Sequence, residues 1–501
     1  MLRCFSIAGL LGMVLLAFWA VPALAGIFAE TAWVAEYDGP GDQWDQALAI
    51  AVDDSANVYV TGTSATIKYD ADGNRLWFGS WGGARIAIDV SNSVYVTGGY
   101  QDYCTIRYYP DGDTAWVRVY DGANSTDAAW DVAADDSGNV YVTGLSVGSG
   151  TYSDYATVKY DSSGNELWVA RYNGEGGRRD EAHAIALDGS GSIYVTGKSE
   201  QTDVYPYNYD YVTIKYDAGG KEVWRRTYHG PDNYGGDIAN AIAVDGSGKV
   251  YVTGQDSKSD TYYDYATVKY DETGNELWVA RYNGPGNGND YGYDLTVDDF
   301  GNVYVTGTSD DYDTDYNRDY ATIKYDRDGN ELWVARYNGP GNGFDSAYRI
   351  AVDDSGNVYV TGASEGDRTE EDYATVRYDS SGNQIWVARY NGQGDGLDVG
   401  SDIALDNFGN VYVTGRGSIS ANDRYYATIK YVQTYYLCGD ANGDGIVDIA
   451  DVVYLIDYLF ISGPVPEPSV AGDANCDGMV DVADIVYLIN SLFLGGSELG
   501  F

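Results

Sequence analysis

Histidine, methionine and proline are scarce in this chain, with 2, 3 and 10 copies in 501 residues. Two histidines leave little scope for His-rich metal centres or repeated imidazole chemistry. Basic residues are also few, 30 Lys and Arg against 76 Asp and Glu, for a net charge of −46. This balance argues against nucleic acid as a partner, because binding that polyanion relies on a basic surface to displace counterions. Beyond residue 21 no segment approaches the ~20 apolar residues that span a bilayer. No G-x-S-x-G elbow, zincin helix or phosphate loop stands out. What is plentiful is Gly (64), Tyr (50) and Trp (12), within a chain that is 44% hydrophobic. That is material for packed cores rather than disorder. The length suits roughly two to four domains.

The first 25 residues read as a signal peptide. Arg3 supplies the positive start, residues 5–21 the apolar stretch, and Ala23-Leu24-Ala25 the small residues of a cleavage site. The mature chain then starts at Gly26 and is exported, secreted or held at the cell surface. An uncleaved membrane anchor is the competing reading of the same segment.

Repeats fill the next 400 residues. The string VYVTG, with Ile for the first Val in one copy, ends at Gly62, Gly98, Gly144, Gly197, Gly254, Gly307, Gly362 and Gly415. Each copy is preceded by a string such as AIAVD and followed by one such as ATIKY, and a fourth kind of run opens at a tryptophan (Trp33, Trp77, Trp116, Trp168, Trp224, Trp278, Trp333, Trp386). Four short β-branched and aromatic runs per period, separated by D-x-x-G-N turns, predict four-stranded antiparallel meanders. We label the strands a (AIAVD), b (VYVTG), c (ATIKY) and d (LWVARY). Periods of this length suit propeller blades. The region opens with a lone d strand at Trp33 and closes with an a-b-c set ending at Tyr431. The orphan d can complete the last blade, which leaves no unpaired edge. The fold class is therefore mainly β, an eight-bladed propeller, with seven blades and one degenerate unit as the alternative. Units such as DDSGNVYVTG and DYATIKYDRDGNELWVARYNGPGN resemble the SBBP β-propeller repeats of bacterial secreted and surface proteins, over about residues 30–431. The resemblance implies a scaffold and specifies no activity.

After a short connector, 432–437, comes a duplicated acidic motif. Asp440, Asn442, Asp444, Asp448 and Asp451 occupy positions 1, 3, 5, 9 and 12 of the first copy. Asp473, Asn475, Asp477, Asp481 and Asp484 do so in the second, 33 residues on. Gly445 and Gly478 at position 6 permit the sharp bend, and Ile446 and Met479 at position 7 would ligate through the backbone carbonyl. Four carboxylates and one amide per loop favour Ca²⁺, one ion in each, over Mg²⁺. Apolar helices are expected to follow at Val452–Phe460 and Ile485–Phe493. This loop-helix duplication, without a helix ahead of the first loop, resembles type I dockerin domains, here over 438–501. The resemblance implies calcium-dependent folding and docking onto a cohesin-like domain, commonly on a scaffold that gathers plant-polysaccharide enzymes. One departure concerns loop positions 10 and 11, often hydroxyl residues in cellulosomal dockerins. Here they are Ile449 and Ala450, then Val482 and Ala483. Cys438 and Cys476 fall one in each motif; a disulfide between them would be worth about 3–4 kcal/mol, and the sequence leaves both states open.

What recurs in every blade holds the blade together, so departures from the repeat mark candidate binding residues. The aspartates eight residues before the last Asp of strand a read as turn caps, and His183 and His229 as surface substitutions. The b–c loops vary and lengthen on one face, bringing Tyr205, Tyr207, Tyr209, Tyr262, Tyr263, Tyr312 and Tyr316 to neighbouring blades, with Tyr234, Tyr291 and Tyr293 on adjacent d–a loops. Rings beside carboxylates suit sugars, whose C–H faces stack on them, although the same tyrosines can pack the loops on one another. The reading is a secreted binding component in polysaccharide breakdown, recognising a polysaccharide or a surface protein. A propeller glycoside hydrolase or lyase, and a structural or adhesion protein, remain alternatives.

Overall fold

The computed structural model describes residues 25–493, apart from 41–43, 100, 124–125, 149–151, 176, 202–207, 232–234, 259–261, 312–316, 395, 421–422, 467–468 and 476–478. It divides into two units, 29–433 and a second containing 434–501. Residues 1–24, most of the expected leader, lie outside the described part. No described helix is long and apolar enough to cross a membrane.

The first unit is an eight-bladed propeller. Eight four-stranded antiparallel sheets follow one another, each in the order a-b-c-d. The short second unit is a full blade, with strands Arg85–Ile88, Val94–Gly98, Tyr103–Tyr108 and Thr114–Tyr120, so the seven-blade alternative falls. The last blade joins Val399–Leu405, Val411–Ser420 and Asp423–Leu437 to the N-terminal strand Ala25–Tyr37, which removes the open edge. The stretch 432–437, expected as a connector, is strand and continues Asp423–Leu437.

Three repeated side chains explain the period. The tyrosine of VYVTG is buried in all eight blades, and its hydroxyl donates to the last Asp of strand a, as Tyr59 does to Asp53 (2.9 Å) and Tyr412 to Asp406 (2.9 Å). Buried hydroxyls need such partners. The tyrosine ahead of strand c's alanine reaches the next blade: Tyr155 donates to the Val212 carbonyl (3.1 Å) and Tyr320 to that of Ala374 (3.1 Å). Tyr426 closes the ring on Ala65 at 3.4 Å. The tryptophan indole donates to the c–d turn of the next blade, from Trp33 to Ala71 (3.0 Å) through Trp333 to Ser380 (3.1 Å). Trp386 breaks the series, and its indole N–H has no partner among the described residues. The cause is topological: blade 8 takes strand d from the N-terminus and has no c–d turn to offer.

The aspartates eight residues before the end of strand a cap the d–a turn, as expected. Asp290, fully buried, accepts from the Gly284 N–H at 2.8 Å. Burial pushes its carboxyl up to about 7, with the Asp264 charge adding to the effect; burial likewise lifts Asp180, Asp345 and Asp398 to about 6. The folded pKa exceeds the unfolded value of about 3.9, so the native state holds this proton more tightly and the group's stabilisation is lost as pH rises from about 4 through 7. Asp290→Asn removes that dependence. Its unfolding free energy relative to wild type should rise by on the order of 2–4 kcal/mol between pH 4 and pH 8, read by denaturant titration at both values. A constant difference would contradict the assignment.

In the second unit, helix α1 spans Ile449–Ile456, runs into a wider turn at Asp457–Ile461, and is matched by α2 at Val482–Phe493. Both helices begin three residues earlier than expected, because the end of each acidic motif is already helical. Asp448 caps α1, accepting from the Ala450 N–H (2.6 Å), while Asp451 accepts from the Asp448 N–H (2.8 Å), a reciprocal capping box. The core is small: Ala441, Val452, Leu455, Ala474, Ile485 and Leu488.

Candidate functional site

The propeller's candidate site is built by an irregularity in strand a. In seven blades its pairing with strand b slips by one residue, between Ala129 and Asp131 in blade 3 and between Ala239 and Ala241 in blade 5, for example. The skipped residue is a β-bulge, which re-aims its side chain. The bulge also explains the glycine of VYVTG. A methyl on Gly254 would stand 1.9 Å from the Ile238 carbonyl oxygen, and the same contact is 1.9–2.0 Å in the other six bulged blades. The bulged residues are Leu48, Trp130, His183, Asn240, Tyr293, Tyr348 and Ser401. Those of blades 3 to 7 line one cavity of about 590 Å³, within the range of small-ligand sites.

Behind this ring stands a charged one. Arg85, Asp131, Asp294 and Arg349 line the same cavity. Asp131 accepts from the N–H of Ile185 in the next blade (2.9 Å), Asp294 from Ile350 (3.1 Å) and Asp402 from Ile50 (2.9 Å). Each also accepts from the residue that follows it. Burial pushes Asp294 up to about 6, offset in part by Arg349, and raises Asp131 and Asp402 in the same way. Burial and the like charge of Arg349 lower Arg85. On the wall, Lys198 pairs with Glu181 at 2.9 Å. Burial opposes ionisation of Glu181, but hydrogen bonds from His183 and Lys198 prevail and hold its carboxyl down at about 2. His183 Nδ1 lies 2.8 Å from the Ala239 carbonyl, which can only accept. Nδ1 therefore carries a proton, and Nε2 stands 3.9 Å from the Glu181 carboxylate.

Other cavities are architectural. One, of about 850 Å³ between blades 5 and 6, is lined by repeat residues such as Asp245, Tyr251, Lys269 and Trp278. The corresponding groove recurs one blade on, at Asp298, Tyr304 and Lys324. Such a groove belongs to the scaffold.

The loop tyrosines are only partly brought together. Tyr205, Tyr207, Tyr312 and Tyr316 lie outside the described residues, as does Tyr234. Tyr209 is half-buried, with the Lys198 ammonium 5.1 Å from its ring. Tyr262 is 52% exposed and adopts a left-handed backbone, φ 64°. Tyr263 packs on Tyr291 (ring centroids 5.5 Å), Tyr291 stacks on Tyr293 (6.3 Å), and Tyr293 meets Tyr348 (5.8 Å). Four rings thus run from the start of strand c in blade 5 (Tyr262–Tyr270) to the axial cavity. Tyr291 and Tyr293 belong to strand Asp290–Val297, not to a d–a loop. His183, read as a surface substitution, lines the cavity, whereas His229 is exposed and lies 2.7 Å from Asp210.

Sequence reasoning missed the axial ring, although a signal was there. Counted back from the last Asp of strand a, the fifth residue reads Leu48, Ala84, Trp130, His183, Asn240, Tyr293, Tyr348, Ser401. The third is always Ile, Val or Leu.

In the C-terminal unit the acidic loops are drawn inward by their own backbone. Asp440 accepts from the N–H of Asp444 (3.0 Å) and Gly445 (2.8 Å), and Asp451 from Asn442 (3.1 Å) and Asp448 (2.8 Å). Loop 2 repeats this: Asp484 accepts from Asn475 (3.1 Å) and Asp481 (2.8 Å). Asp451 and Asp484 are fully buried. Burial raises both carboxyls, and the charges of Asp440 and Asp444 push Asp451 further. Residues 431–501 contain no Lys, Arg or His, so this stretch of chain has no cation of its own to balance the cluster. The donor set fits a hard divalent ion. The Ile446 and Met479 side chains are exposed, as suits residues that would contribute only a carbonyl. Cys438 is buried, and Cys476, like Asp477, lies outside the described residues.

Comparison with known proteins agrees with both halves. Residues 438–493 match the family model described as the dockerin type I domain. Residues 277–313, 332–367 and 385–420 match that of the SBBP beta-propeller repeat. An uncharacterized WD repeat-containing protein of Acanthamoeba polyphaga mimivirus is 23% identical over 321 residues, 52% of this chain and 22% of its own length. The chain thus matches only about a fifth of that curated relative. Among solved structures, the Dos1 propeller aligns with a TM-score of 0.50 at 10% identity, covering 80% of this chain and 95% of its own. The Pan2 WD40 domain of Neurospora crassa gives 0.40 at 12%, covering 80% and 95%. The protein is a dockerin-bearing β-propeller, and type I dockerin domains bind calcium and dock onto cohesins.

Proposed function

We propose that this chain is an exported recognition component: residues 1–25 direct secretion, the dockerin of 438–501 tethers the chain to a cohesin-bearing scaffold or surface, and the propeller binds a polysaccharide. One observation carries the recognition role. The strand-a positions that vary from blade to blade are gathered at the axial ring, on sheets whose buried tyrosines and closing aspartates recur. In the dockerin, Asp440, Asn442, Asp444, Ile446, Asp448 and Asp451 would hold one calcium, and Asp473, Asn475, Asp477, Met479, Asp481 and Asp484 a second. Bound there, the ions would supply the positive charge these carboxylates need to sit together at the start of each helix. Ile449, Val453, Ile456 and Phe460 are exposed, as are Val482, Val486, Ile489 and Phe493, their counterparts 33 residues later. This duplicated apolar face supports a cohesin-like partner whose contact surface is itself apolar.

The test is depletion of the whole chain from solution by a panel of insoluble polysaccharides, with released reducing ends and unsaturated products assayed in the same tubes. Depletion without products is expected. Products would instead establish a hydrolase or lyase, and neither depletion nor products would leave a propeller that binds protein.

A further inference from the structure

We infer that the axial cavity takes the terminal unit of a neutral oligosaccharide end-on, its sugar ring against the aromatic wall. This rests on the recognition role proposed above and names the site and the ligand for it. The cavity is lined by strand a of blades 2 to 7, and strand a of blades 8 and 1 packs between those of blades 7 and 2 to complete the ring about the axis, which leaves no lateral gap through which a polymer could lie across the site. A chain can enter only along the axis, and so by its end.

The lining sets the chemistry. Trp130 is 41% exposed although it stands in a concave site, with its ring 5.9 Å from that of His183. With Tyr293 and Tyr348 it offers flat apolar faces, which suit the C–H side of a pyranose. The polar groups are fixed before any ligand arrives. Asn240 donates from Nδ2 to the Gly292 carbonyl at 2.8 Å, which leaves its amide oxygen to accept, and the Glu181 carboxylate beside Lys198 is a second acceptor on the cavity wall. A hydroxyl-rich ligand uses such acceptors and can accept in turn from the guanidinium groups of the floor.

Charge selects a neutral sugar. Lys198 is matched by Glu181, and the two floor arginines are balanced to within one charge by Asp131, Asp294 and Asp402, whose carboxylates are committed to strand N–H groups. An ionised ligand would lack a counter-charge not already engaged.

The experiment is calorimetric titration of the full chain, in calcium, with glucose, galactose, mannose, xylose and arabinose, and with the di-, tetra- and hexasaccharides of cellulose, mannan and xylan. At least one series should bind, with affinity that stops rising at the disaccharide. Trp130→Ala and Asn240→Ala should each weaken it tenfold or more, while both variants melt as wild type does and Val90→Ala, at an exposed a–b turn position, binds normally. Affinity that climbs through the hexasaccharide, or survives Trp130→Ala and Asn240→Ala, would overturn the axial site and leave the recognition role standing on the loops. Silence toward every sugar would overturn the axial site as well. The polysaccharide depletion test then decides separately whether the recognition role survives.

Discussion

Chelation with EDTA should abolish the helical circular dichroism of residues 449–493 and leave the melting of the propeller unchanged. Four carboxylates crowd a twelve-residue loop, twice, in a stretch of chain without a basic residue. Asp451 and Asp484 are fully buried among them. Against that repulsion stands a core of six small or medium apolar side chains, too little to hold a segment of this size folded alone. Metal binding in such a module is folding free energy, so its removal is an unfolding step rather than a local loosening. The propeller draws its stability from inter-blade tyrosine and tryptophan bonds and from eight apolar sheets, none of which involves calcium. Readdition of calcium should restore the helices. A single joint transition, sensitive to EDTA, would contradict this division of roles.

The second large effect is expected from one added methyl group. Gly254→Ala places a carbon 1.9 Å from the Ile238 carbonyl oxygen, with the Ala239 Cα next nearest at 2.9 Å. Both are backbone atoms of the bulge, so no side-chain rotation relieves the overlap, and either the bulge or the pairing of strands a and b must yield. A cost of about 3 kcal/mol or more follows, read as a lower melting temperature. Gly246→Ala, in the same blade with nothing within 4 Å of the new carbon, should change little. The variant also tests the link from scaffold to site, because the same bulge presents Asn240 to the cavity. Equal melting of the two variants would show that strand b does not need glycine.

The blade count and ring closure were legible because hydrogen bonding makes them repeat. Every VYVTG tyrosine has the same aspartate to meet, and the orphan strand at Trp33 has only one edge to complete. The acidic loops were legible because metal ligation ties residue type to spacing. The start of α1 was misplaced by three residues because Asp448 serves the acidic loop and the helix cap together. The axial ring was obscured for a geometric reason. A strand read at period two sends alternate residues to opposite faces, and a bulge breaks that period at the residue that matters. Trp130, His183 and Tyr293 therefore look like sporadic substitutions until the blades are aligned on their closing aspartates. The loop tyrosines could be found in the sequence but not ranked, since Tyr263 leads toward the cavity through Tyr291 and Tyr293 while Tyr262 faces solvent.

Whether recognition resides in the propeller can be measured directly. The measurement is depletion of the whole chain by the polysaccharide that binds it, run in calcium and in EDTA, for wild type and for Trp130→Ala. Wild type should be depleted equally in both buffers, since the bonds that join the blades run from tyrosine and tryptophan to backbone carbonyls, and Trp130→Ala should remain in solution in both. Release of wild type by EDTA, or retention of Trp130→Ala on the polysaccharide, would contradict it.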